Sequence, residues 1–161
     1  MLRLIIQILL GIAIVAVGYF LYTSVQAPIK WQKDKDARYT KIKQRLIEIR
    51  TAQTSYKAIN GHYAKTFPDL AWYLNQGRLK RPNGQLISPS DSLFGKTYPV
   101  FSMQYVPFGG QKKFNMEVKF DGTDSTEYIE VSDPAPFDPD DPLSFGSLTE
   151  STLKASWETE K

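Results

Sequence analysis

Residues 4–25, LIIQILLGIAIVAVGYFLYTSV, carry no charge and one strongly polar side chain, Gln7. As a helix rising about 1.5 Å per residue, the run reaches roughly 33 Å, enough to cross a hydrocarbon core of about 30 Å. Directly behind it, residues 31–60 are charged and amphipathic, with no Gly or Pro before Gly61. One long helix in two solvents is therefore expected: a transmembrane anchor over 1–29, then a helix carrying a single soluble domain over 30–161. A secretory signal has a shorter apolar core, about 7–15 residues, and small residues at its cleavage site. Here bulky Tyr19-Phe20-Leu21-Tyr22 fills the far end, and the run reads as a retained anchor.

Within the anchor, Gln7, Gly11 and Gly18 are spaced +4 and +7 and share one helix face. Small residues let helix backbones approach closely in lipid, and a buried amide can bond across the contact, so this face is a candidate for helix packing. Gly is also common in membrane helices, and Gln7 lies near one end of the run, which is the plainer account. Tyr19, Tyr22 and Trp31 suit an aromatic belt at the headgroups. Pro28 lacks an amide hydrogen and clashes with the preceding turn, which predicts a kink or short break there.

Past the anchor, Tyr39, Ile42, Leu46, Ile49, Gln53 and Tyr56 step by three and four, an apolar stripe of helical period widened by Ile47, Ala52 and Ile59. It calls for cover. The domain's own sheet is the expected partner; a coiled coil is the rival, weakened by the short run and by Gln53 in the seam. The helix is predicted over 34–60, ending at Asn60-Gly61. A second short helix is predicted over 67–76, capped by Thr66, with Pro68 and Asp69 in its first turn and Leu70, Tyr73 and Leu74 on its apolar side.

Residues 78–99 read as loop, from the turn signals Pro82-Asn83-Gly84, Ser88-Pro89-Ser90 and Gly95. The period then changes to two. Phe101, Met103 and Tyr105, then Phe114, Met116, Val118 and Phe120, then Ile129 and Val131 predict three strands over 100–132, joined by the short connections 107–112 and 121–126. Four prolines and four aspartates make 133–146 a loop, and the segment 147–161 offers an edge strand over 147–153 and a Trp157 that must pack. The fold class is α+β: the long helix packed on a small antiparallel sheet of three to four strands.

About 130 residues remain beyond the anchor, enough for one hydrophobic core. The absence of cysteine excludes disulfides, thiolate nucleophiles and Cys-ligated metals. Charge is uneven: residues 30–65 hold ten Lys/Arg against three Asp/Glu, and residues 121–161 hold two against eleven. Either these are two solvated faces, or the acidic tail meets the basic helix within a subunit or between neighbours. No aromatic or Gly-rich recognition motif surrounds the basic residues, so no nucleic acid is expected as a partner. His62, the single histidine, has no evident nucleophile or orienting group, and no phosphate-binding loop or nucleophile elbow occurs; an enzyme is not expected. Two acidic loops offer oxygen ligands to calcium, one with Asp121, Asp124 and Glu127, the other with Asp133, Asp138, Asp140 and Asp141. Neither matches an EF-hand, and solvated turns account for both; otherwise no cofactor is expected.

From Trp31 to Leu74 the cluster Lys33, Asp34, Lys35, Asp36, the amphipathic helix, and then Tyr56, Asn60-Gly61, Tyr63, Phe67 and Leu70 resemble type IV pilins and the major pseudopilins of type II secretion. Ile49-Arg50-Thr51-Ala52-Gln53, Tyr56-Lys57, Asp91-Ser92-Leu93-Phe94 and Gly146-Ser147-Leu148-Thr149-Glu150 are similar to a family of single-span membrane-anchored proteins of Bacteroidetes. The pilin resemblance implies a helix that is half anchor and half packing face for the sheet, with calcium in a loop of the sheet region. It does not extend to Met1–Gln7, which lack the Gly of the prepilin cleavage site and the Glu at the fifth position of the mature helix. Seven Lys/Arg within 20 residues after the anchor, against Arg3 before it, favour a cytoplasmic domain by the positive-inside rule. Pilin-like proteins export their domains despite such clusters, and a single-pass protein of the bacterial inner membrane with a periplasmic domain is expected. Its partners are expected to be the lipid bilayer and other membrane-spanning subunits, in a homo- or hetero-oligomer. The expected role is a structural subunit of an envelope assembly; a single-span binding or adaptor module is the alternative.

Overall fold

The computed structural model describes residues 2–76, 79–80, 86–122 and 126–158. Helix α1 runs over Leu2–Asn60 with Pro28 inside it. The break predicted at Pro28 does not occur: one missing amide donor removes one bond of a ladder whose neighbours remain. The chain divides into two compact units, Met1–Ala37 and Arg38–Lys161.

In the second unit the stripe on α1 is the spine of the core. Tyr39, Ile42, Leu46, Ile49, Ala52 and Gln53 are buried, and Tyr56 packs partly buried beside them. Ile47 and Ile59, predicted to widen the stripe, are exposed instead: Ile47 stands about 100° of helix turn from buried Leu46, and Ile59 lies in the last turn of α1, beyond the buried run. The cover is the domain itself, including Ile129, Val131 and Phe145 of the sheet, and not a second helix in a coiled coil. Gly61, at φ +82°, ends α1 with its N–H on the Lys57 carbonyl at 2.8 Å.

Helix α2 (Phe67–Asn75) is capped by Thr66, whose hydroxyl oxygen accepts from Asp69 N, and it buries Leu70, Ala71, Tyr73 and Leu74. The loop predicted for 78–99 contains more order than expected. Two-residue strands β1 (Leu79–Lys80) and β2 (Leu86–Ile87) pair antiparallel, and α3 (Pro89–Leu93) follows. Ser88-Pro89, read as a turn signal, is the N-cap and first position of α3, with Ser88 Oγ accepting from Asp91 N.

The first predicted strand is absent. Val100–Ser102 form a 3-10 turn, and the buried residues are Val100, Met103 and Val106, a period of three, while Phe101 is 70% exposed. The predicted connection does form: Tyr105 bridges Lys113, and Val106 N reaches the Lys112 carbonyl at 2.9 Å. The main sheet is antiparallel with order β3-β4-β5, where β3 is Asn115–Phe120, β4 Glu127–Ser132 and β5 Ser144–Ser147. Val118 lies opposite Ile129, and Val131 lies between Met116 and Phe145. β5 corrects both readings of the tail. Ser144–Gly146 belong to a strand rather than to the loop, and the edge strand starts three residues before the predicted one. Leu143 and Phe145 alternate inward and are buried, which favours extended backbone once Pro142 is passed. Beyond it Phe145 bridges Ala155, and Trp157 packs partly buried on the core, as expected.

Candidate functional site

The first unit is defined by what it leaves uncovered. Every described side chain from Arg3 to Lys33 is exposed, and the most apolar 18-residue window of α1 has a mean hydropathy of 2.6 with none of it buried. A bare helix of this composition is costly in water and matched to lipid, so α1 holds one segment long and apolar enough to cross a membrane. At Gly11 and Gly18 a Cβ meets no atom within 4 Å, and the missing side chain at Gly11 leaves a shallow hollow flanked by Ile8, Ile12 and Val15. Gln7 lies on the same face as the two glycines. Near the end of the apolar run, Thr23 returns its hydroxyl to the Tyr19 and Phe20 carbonyls at 3.1 and 3.0 Å, which lets a polar side chain sit in lipid.

The stripe residues are structural. Gln53, fully buried, forms a two-point pair with the backbone of one residue: its Nε2 donates to the Ala64 carbonyl at 3.0 Å and its Oε1 accepts from Ala64 N at 2.9 Å. That satisfies a buried amide and ties α1 to the chain after it. Tyr39 donates to the Asp141 carbonyl at 2.7 Å, and Tyr56 stacks edge-on against Tyr73 and His62.

The acidic tail meets the basic helix within the chain. Arg50 holds both carboxylate oxygens of Glu158 at 2.9 and 3.0 Å and also reaches the Leu153 carbonyl. The bond from Ala155 N and then the Arg50 guanidinium hold the Glu158 carboxyl below the usual carboxylate range. Arg38 lies 4.6 Å over the Phe137 ring, and Lys43 5.7 Å over Trp157. Tyr98 donates to Glu48, which Arg45 also approaches at 3.5 Å; burial, then that bond, push the Tyr98 hydroxyl above the ordinary tyrosine range.

The calcium candidates are held in local backbone hydrogen bonds. Asp124 lies outside the described residues. Glu127 accepts from Tyr63 N at 2.8 Å, Asp121 caps its hairpin through a bond from its N–H to the Thr126 carbonyl, and Asp138 accepts from Asp140 N. Asp141 donates its N–H to the Asp138 carbonyl, and Asp133 accepts from Ala135 N. Among the described residues no three His, Cys, Asp or Glu gather to hold a metal ion. His62 Nδ1 lies 3.1 Å from the Tyr63 carbonyl at the end of α1.

One concavity was not legible in the sequence. An apolar groove of about 370 Å³ separates α2 from the turn at 100–104. Leu70, Leu74 and Met103 form its floor from the core, and Trp72 and Phe101, 60% and 70% exposed, stand at its rim. Trp72 lies off the buried side of α2, and Phe101 was assigned to the core face of a strand, so neither signalled a surface. Comparison with protein-family models, with curated proteins and with solved structures returns no match for the chain.

Proposed function

We propose that this chain is a non-catalytic, membrane-anchored structural subunit of a bacterial envelope assembly, such as a pseudopilus, a pilus-like filament or a secretion or motility complex. One observation carries this reading: a single helix, α1, is wholly exposed and apolar in its first part and is the buried spine of an α+β domain in its second. Such a helix couples a bilayer to a folded domain. The anchor packs on other membrane helices through Gln7, Gly11 and Gly18, in the inner membrane with the domain in the periplasm.

Because the chain has no cysteine, single cysteines in cells test this directly. Gly11→Cys and Gly18→Cys are expected to cross-link to neighbouring membrane helices, and Leu9→Cys and Ala16→Cys, on the opposite face at about 100° per residue, are not. Equal cross-linking from both faces contradicts the packing. The groove favours a second reading, in which the domain binds a soluble partner through Trp72 and Phe101. That reading expects a monodisperse protein holding one partner, released by Trp72→Ser with the fold intact.

A further inference from the structure

Asn60-Gly61, the pair at the end of α1, is also the dipeptide most prone to one spontaneous reaction. In a flexible chain the backbone nitrogen of a Gly attacks the side-chain carbonyl carbon of the Asn before it, since no side chain obstructs the approach. The nitrogen gives up its proton, a new N–C bond closes a five-membered succinimide, and the Asn amide leaves as ammonia. Water then opens the ring at either carbonyl. One product is Asp. The other is isoaspartate, whose main chain runs through the former side chain and is longer by one methylene.

In the folded domain both reacting groups are occupied. Gly61 N donates to the Lys57 carbonyl at 2.8 Å, and Asn60 Nδ2 donates to the Tyr56 carbonyl at 3.0 Å. These two bonds close the last turn of α1 and point the amide back toward Tyr56. Asn60 is the last helical residue, and ring closure needs its ψ to leave the helical range. Asn60 is half-buried and Gly61 is exposed, so water reaches the pair once the turn opens. Helix ends open more readily than the rest of a domain.

The joint behind this pair holds the domain closed. Tyr63 N donates to Glu127 at 2.8 Å, Lys57 Nζ lies 4.0 Å over the Tyr63 ring, and Ala64 is paired with Gln53 through both of its backbone groups. Only Gly61, His62 and Tyr63 lie between Asn60 and Ala64. An added methylene at residue 60 shifts that short link against its partners. Either product also removes the amide donor to Tyr56 and sets a carboxylate on the last turn, the end where the helix dipole disfavours negative charge.

We propose that Asn60 is a modification site gated by the last turn of α1: the closed turn protects it, and each opening exposes it to conversion into Asp or isoaspartate. The change is one-way. Conversion weakens the turn that gated it, so chains that have opened are marked and open more easily afterwards.

The test follows the full chain, in which Asn83-Gly84 is a second such pair and serves as a chemical clock. Membranes bearing the chain are incubated near neutral pH, with and without urea sufficient to unfold the domain, and are then digested with trypsin. Cleavage after Lys57 and Lys65 isolates residues 58–65, and cleavage after Lys80 and Lys96 isolates the clock. Mass spectrometry reads the exchange of ammonia for water in each. In urea both sites are expected to convert at similar rates; a clock that converts while Asn60 does not overturns the site. Without urea Asn60 is expected to convert at least about tenfold slower than in urea. About 1.4 kcal/mol gives that factor, within the worth of two hydrogen bonds. Equal rates overturn the protection. Ala58→Gly, at an exposed position of the same turn, is expected to speed conversion about fivefold without urea, the factor for about 1 kcal/mol of lost helix propensity. It is expected to leave the rate in urea unchanged. Tryptophan fluorescence checks that this variant stays folded, and a folded variant with no acceleration overturns the gate. Asn60→Asp, the lesser of the two products, is expected to unfold at lower urea than the parent chain, and an unchanged midpoint overturns the weakening.

Discussion

At Gly146 a Cβ falls 2.0 Å from the Ile129 carbonyl oxygen, on a backbone at φ +82°. Gly61 has the same φ with nothing within 4 Å of its Cβ, so the pair separates backbone strain from collision. Gly61→Ala is expected to cost about 1 kcal/mol and Gly146→Ala about 3 kcal/mol or more, read from urea unfolding followed by tryptophan fluorescence. Gln53→Leu leaves the Ala64 N–H and C=O buried without their partner and is expected to cost about 2–4 kcal/mol. Glu158 sets a small acid dependence. Its carboxyl is held below its ordinary value of 4.5, so its contribution is present above that pH and is lost as pH falls through the lowered folded-state value. The Tm difference between the parent chain and Glu158→Gln is expected to shrink from neutral pH toward pH 3 and to shrink with salt, since the pair is partly exposed. Gln53 was visible in the sequence as a polar residue in an apolar seam. Its partner was not, because the pairing depends on how the chain turns at Gly61 to bring Ala64 back.

The stripe on α1 was legible because six positions repeat one period, which leaves little room for another reading. The segment 100–106 was not, because seven residues support two periods at once: Phe101, Met103 and Tyr105 alternate, while Val100, Met103 and Val106 recur every third residue. Pro99 and the burial of Val100 decide for the second. The two periods make opposite demands on Phe101. Met103→Ala is expected to lose about 2–4 kcal/mol as a core truncation, and Phe101→Ser less than about 0.5 kcal/mol; a Phe101 loss as large as that of Met103 restores the strand. β5 was hidden by its composition, since Pro142 and Gly146 flank the two inward residues, Leu143 and Phe145, that carry it. The apolar span was legible from its length and composition alone, because lipid asks little of a helix beyond apolar length. The groove needed α2 and the turn at 100–104 placed side by side, which no local pattern supplies.

At the scale of the molecule, one helix serves two units, an apolar uncovered one and a packed domain. Lipid-matched surface is left bare on the first unit, while in the second the same helix is covered by α2, the turn at 100–104 and the sheet. Oppositely charged segments meet inside the domain, through Arg50 and Glu158, rather than waiting for a neighbour. In the role proposed above, assembly uses the glycine face of the anchor, and the groove at Trp72 is the surface of the second reading. The proposed role as an anchored subunit presupposes a retained anchor. The direct measurement is alkaline carbonate extraction of membranes from cells making the chain, with the intact mass of the protein read in pellet and supernatant. The account expects the uncleaved chain of 18.3 kDa in the pellet. A supernatant protein shortened by removal of the first apolar segment contradicts it.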